Sequence, residues 1–185
     1  MRPNEQKNQA PEKTSPQIRP KRLDTKKTVI YIALIFIFAV LQTTVFSRYR
    51  LFGVVPDITL AFAVAVAFFE NEYYASSLGL FAGITVEALG LSSSLILPLI
   101  YMLICCFASI IKDKLLSKNF VSFEVLSACS FAVIALYKIA LSLISSQTGL
   151  VGVISFSVIP EFFSSLVFSP LPFLIVRGEA FRKTF

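Results

Sequence analysis

The chain has 185 residues, 56% of them hydrophobic, with a mean hydropathy of +0.76 and a formal net charge of +6. That apolarity lies outside the range of soluble globular domains and excludes a water-soluble enzyme or a free nucleic-acid binder. The positive charge is no nucleic-acid footprint either. Eight basic residues gather in residues 1–27 against three acidic ones, just ahead of the first apolar stretch, where such a tail sets topology and meets anionic lipid.

Residues 1–27 are polar and carry Pro3, Pro11, Pro16 and Pro20, which predicts a disordered cytoplasmic tail. Six apolar stretches follow, each near the ~20 residues that a helix needs to cross a bilayer. They run over 28–46, 54–69, 75–92, 94–111, 121–144 and 158–176, and a short basic tail closes the chain over 177–185. The first stretch is too long for the apolar core of a signal peptide, and no small-residue cleavage site follows it. Only Leu91–Ser94 separate the third and fourth spans, which predicts a tight hairpin or a re-entrant pair. Pro98, Pro160, Pro170 and Pro172 fall in or at spans. The last two predict that the sixth span bends or unwinds near its inner half.

Orientation follows from Lys and Arg. With the N-terminus inside, the inner segments hold the tail's eight, then Lys112, Lys114, Lys118, Arg177, Arg182 and Lys183. The outer segments hold Arg48 and Arg50 alone. The predicted fold is therefore an all-α bundle of about six transmembrane helices with both termini cytoplasmic. Trp is absent, so interfacial anchoring falls to Tyr31, Tyr49, Tyr73, Tyr74 and Tyr101.

Function must be read from the polar groups within the spans, where an ionised side chain costs some ~2.5–3.5 kcal/mol at the helix centre. Glu87 and Lys138 are the clearest, with Asp57 and Glu161 at the starts of the second and sixth spans and Glu124 at the start of the fifth. Counting at 1.5 Å per residue puts Glu87 and Lys138 roughly 8–9 Å below the outer interface. Asp57 and Glu161 lie slightly shallower. Four charges then share the outer third of the bundle. Lys138 is expected to pair with Glu87, with Glu161 or Asp57 nearby, in a partner or ligand cavity; a plain register-fixing ion pair is the competing expectation. Ala75, Gly79, Gly83 and Glu87 recur every four residues, a small-residue face for helix packing that Gly90 extends.

No catalytic residue is assigned. The chain has no His, and Cys105, Cys106 and Cys129 lie within apolar spans, where thiols act as small hydrophobes. No cofactor, metal site or disulfide framework is expected. A Ser–Lys dyad of Lys138 with Ser142 has little to recommend it, because Ser is common throughout the spans.

Several positions resemble the MreD family of rod shape-determining membrane proteins. Pro56-Asp57 opens the second span in VVPDITLAFAV. Gly79, Gly83, Glu87 and Gly90 stand in GLFAGITVEALG, with Glu where the family usually has Asp. Pro160-Glu161 opens the last span, which ends in SPLPFLIVR. The resemblance covers roughly residues 28–180. It implies a non-enzymatic scaffold of the elongation machinery in the bacterial plasma membrane, which builds peptidoglycan and maintains cell shape. Such a protein binds the bitopic protein MreC and, through it, MreB, RodA and a class B penicillin-binding protein. The family is similar in fold to the substrate-binding subunits of energy-coupling-factor transporters, so a vitamin importer subunit using the same outer cavity is the alternative. The bulky first span (Ile35, Phe36, Ile37, Phe38) lacks the small-residue motif of importer subunits and favours the scaffold.

Overall fold

The structure is a computed structural model and describes residues 25–49, 53–90, 96–115, 119–145 and 158–181. The predicted N-terminal tail up to residue 24, Arg50, the Leu91–Ser94 connection, Lys118 and residues 182–185 lie outside the described residues. The described chain is all-helical: α1 (Thr25–Leu41), α2 (Ile58–Phe69), α3 (Glu72–Ala88), α4 (Leu97–Leu115), α5 (Phe120–Ser145), α6 (Ile159–Phe168) and α7 (Pro170–Phe181). Helix therefore begins inside the predicted tail, at Thr25, and continues into the predicted C-terminal tail as far as Phe181.

Among the described residues, three helical stretches are long and apolar enough to cross a membrane: Thr25–Phe46, Phe120–Ile144 and Ile159–Gly178. Ile58–Phe69 and Leu97–Lys112 are apolar but shorter. The third predicted span starts earlier than expected, at Glu72 and not at residue 75, and takes up Tyr73 and Tyr74.

The organising element is α2. Every residue from Ile58 to Phe68 is buried, and α2 packs against all six other helices. Its Ala and Val side chains let neighbours approach closely, and Phe62 and Phe68 fill the wider gaps. Phe62 meets Tyr31 and Phe38 of α1, with ring centroids 6.3 and 5.2 Å away. At the other end, Phe68 meets Phe123 and Phe173, themselves 4.7 Å apart, and so ties α5 and α7 to α2. Lipid is as apolar as these side chains, so close packing and satisfied polar groups, more than water exclusion, hold such a helix in place.

Two other features shape the bundle. α1 widens at its end into a π-helical turn, Gln42–Phe46. Thr43 donates its hydroxyl to Ala39 O and Val40 O, and Thr44 donates to Val40 O. This back-bonding competes with the regular helical ladder and loosens the turn. The sixth predicted span is two helices, α6 and α7, meeting at Ser169 just before Pro170. Pro170 has no N–H to continue the ladder and suits the first position of a new helix.

α3 and α4 form the most extensive helix pair, and the small-residue face explains it. A Cβ on Gly83 would come within 2.5 Å of Pro98 Cα, and one on Gly79 within 2.7 Å of Cys105 Sγ. Ala75 is buried on the same face. Gly90 is different. It sits past the helix end at φ +74° with nothing near its missing side chain. It is a left-handed turn residue, where a Cβ is disfavoured, and takes no part in the packing face.

Candidate functional site

At ~1.5 Å per residue, α2 is about 18 Å long, well short of the ~30 Å hydrocarbon core. Both of its ends are buried among other helices, so their backbone groups need partners from the protein itself. The partners at its N-terminus build the candidate site.

Asp57 is the N-cap residue: its Oδ1 accepts from Leu60 N at 3.2 Å. Its Oδ2 accepts from the Tyr101 hydroxyl of α4 at 2.6 Å. Its own backbone N–H donates to Ser165 Oγ of α6 at 2.8 Å. Gln42, aimed inward by the π-helical turn, accepts at Oε1 from Thr59 N (3.2 Å) and from Thr59 Oγ1 (2.8 Å). Side chains from α1, α4 and α6 thus converge on the start of α2. A carboxylate here also complements the positive end of the helix dipole.

Beside Asp57 lies a recess lined by Phe131, Ile134, Ala135 and Lys138 of α5, by Val158, and by Glu161, Phe162 and Ser165 of α6. Lys138 forms an ion pair with Glu161 across it. Burial deepens inward. The Lys138 side chain is 39% exposed and that of Glu161 18%, while Asp57 as a residue is 8% exposed and Tyr101 fully buried. The free space is about 10 Å³, enough for a single water.

Of the four predicted cavity residues, the structure brings together Asp57, Lys138 and Glu161. Glu87 is not with them. It lies near the end of α3, half-buried, and the ion partner of Lys138 is Glu161 in its place. The reason is azimuth. The Gly79–Gly83 face carries α3 onto α4, and α3 also packs on α2 and α1, whereas α5 packs on α6, α2 and α4. Glu124 is also elsewhere: its carboxylate accepts from Ser169 Oγ (2.9 and 2.7 Å) at the α6–α7 break.

A second polar cluster closes the other end of α2. Lys112, 8% exposed, donates to Ala67 O at 3.0 Å and to Glu70 O. Ser109 Oγ also donates to Glu70 O, at 3.0 Å. The Glu70 carboxylate pairs with Lys27 and accepts from Tyr31 OH at 3.4 Å. Lys112 therefore serves as a C-terminal cap, a cation at the negative end of the dipole. The expected interfacial roles of Tyr31 and Tyr101 are corrected as well: both are fully buried, while Tyr49 and Tyr73 are 72% and 82% exposed.

Gln42, Tyr101, Glu70 and Lys112 are, with Ser165, site residues that sequence reasoning missed. A Gln at the end of an otherwise apolar span was the one direct signal. Tyr101, Glu70 and Lys112 read equally well as boundary residues.

The chain matches no known family model, no curated protein and no solved structure.

Proposed function

We propose that this chain is a non-enzymatic scaffold of the bacterial cell-elongation machinery in the plasma membrane, acting by binding MreC as the resemblance to the MreD family implies. In this reading the bundle crosses the bilayer six times, with α6 and α7 as one broken span. Both termini are cytoplasmic, and the Asp57 recess faces outward, as the Lys and Arg bias requires.

One observation carries the reading. Lys138 and Glu161, from two separate helices, converge beside Asp57, yet the three leave room for about one water. A small-molecule site needs about 300–1,000 Å³, so this recess as it stands is too small for the ligand of the vitamin-importer alternative. A charged recess of this size suits the edge of a protein segment, with the half-exposed Lys138 as its outermost group. Supporting positions are Pro56-Asp57 at the start of α2, Gly79 and Gly83 in the α3–α4 interface, and Pro160-Glu161 in the first turn of α6.

Two experiments on the host organism test it. Affinity purification of the tagged chain should recover MreC, and through it MreB, RodA and a class B penicillin-binding protein. Depletion should convert rod or helical cells to spheres. A tightly bound vitamin or a pair of ATPases in the purified complex, with cell shape retained on depletion, would overturn the proposal.

A further inference from the structure

We infer that the Lys138–Glu161 ion pair is a strap that holds the recess shut over Asp57, and that the recess opens by a swing of α6 about Ser169–Pro170.

The recess is small because α6 lies against α5, and three polar attachments hold it there alongside the packing of Phe162, Leu166 and Phe168 on the core. The ion pair joins α5 to the first turn of α6 at the most exposed point of the recess. Ser165 receives the Asp57 N–H in its floor. At the far end of α6, Ser169 donates to Glu124 of α5 and to Leu166 O.

These attachments differ in kind. The Ser169 anchor is buried and lies where Pro170 interrupts the helical ladder, so it fixes a pivot and not a rigid rod. The ion pair lies at the opposite end of the ten-residue arm, where a small rotation gives the largest displacement. α6 makes only limited contact with α2, and its residues Ile159, Phe163 and Val167 are 47–72% exposed. Short break, anchored pivot and polar latch are the parts of a hinged arm.

The strap is a property of the chain alone. Only the identity of what enters the opened recess rests on the scaffold reading. The test therefore uses the purified full chain in detergent micelles, without any partner. Cys106 and Cys129 are replaced by Ala, and Ser165→Cys supplies a reporter beneath the strap, where Ser165 is 1% exposed. Buried Cys105 of α4 is kept as an internal control. Labelling by a water-soluble maleimide is followed by mass spectrometry.

Lys138→Met and Glu161→Gln should each speed labelling of Cys at position 165 about tenfold, the factor given by an opening equilibrium shifted by ~1.4 kcal/mol. The swapped pair Lys138→Glu/Glu161→Lys should restore slow labelling. Pro170→Ala, which removes the break, should slow labelling again in the Lys138→Met background. Glu161→Gln stays informative if Lys138→Met does not fold, because the half-exposed Lys138 can then extend toward the membrane surface. Unchanged labelling in both charge-breaking variants would overturn the strap. Equal acceleration at Cys105 would overturn it too, since the pair would then hold the whole bundle and not one arm. Failure to recover MreC, with the labelling pattern intact, would overturn the scaffold reading alone.

Discussion

Tyr101 donates its hydroxyl to Asp57 across 2.6 Å in the interior of the bundle, joining the first turns of α4 to the start of α2. The same carboxylate caps α2 through Leu60 N. One side chain therefore fixes both where α2 begins and how deeply α4 sits against it.

Tyr101→Phe should lower stability by about 1–3 kcal/mol, the range for a buried charged hydrogen bond that loses one partner. Asp57→Ala should cost more, since the loss of an N-cap adds about 0.5–2 kcal/mol. The double variant should fall close to Asp57→Ala alone. Circular-dichroism melts in detergent check this, and additive losses would show that the two side chains act separately.

Lys138 and Glu161 should be energetically coupled, and Lys138 and Glu87 should not. A double-mutant cycle of Lys138→Met with Glu161→Gln should give a coupling of about 0.5–3 kcal/mol, the range for contacting residues. The cycle with Glu87→Gln should close to within about 0.5 kcal/mol. Urea or thermal unfolding of the six chains provides the measurement.

The three glycines of the α3 region should respond in a fixed order. Gly83→Ala should be the worst, because its Cβ would strike backbone at Pro98 Cα. Overpacking of this kind costs typically about 1–3 kcal/mol. Gly79→Ala should follow, since part of its clash is with the Cys105 side chain, and Cys105→Ala should relieve some of the loss. Gly90→Ala meets no atom and should cost only its positive-φ strain, about 1–2 kcal/mol. Melting temperatures of the three variants test the ranking.

Lys112→Met should destabilise the bundle although it removes a costly buried charge. Ala67 O would lose its ammonium partner, and an unsatisfied buried acceptor costs about 1–3 kcal/mol. Lys112→Arg should retain much of the cap. Backbone hydrogen exchange at the last turn of α2 should rise in the Met variant before the first turn is affected.

Much of the helix layout was legible because apolar run length is a property of the chain alone. The sixth stretch even carried its break, written in Pro170 and Pro172. The site was legible only in part. Counting residues from a helix end gives an expected height in the bilayer, which grouped Glu87 with Lys138, Asp57 and Glu161, and the structure brings the last three together. It does not give rotation. The partner of Lys138 depended on which way the Gly79–Gly83 face turned, and that face turned to α4. Lys112 was read as an inner-segment topology charge, because nothing in its local sequence shows that the last carbonyls of α2 lie inside the protein and take its ammonium as a cap. Tyr101 was read as an interfacial ring because Trp is absent, and nothing in its local sequence names the carboxylate it meets.

The caps of α2 come from distant parts of the polypeptide, Gln42 before it and Tyr101, Lys112 and Ser165 after it. During biosynthesis α2 leaves the ribosome long before Ser165 is made. Its backbone at Asp57 must then wait, hydrated or held by the insertion machinery, until α6 arrives. Maturation of the core is thus tied to synthesis of the penultimate helix, and ribosome stalling ahead of Ser165 would leave a protease-sensitive intermediate that the completed chain does not show.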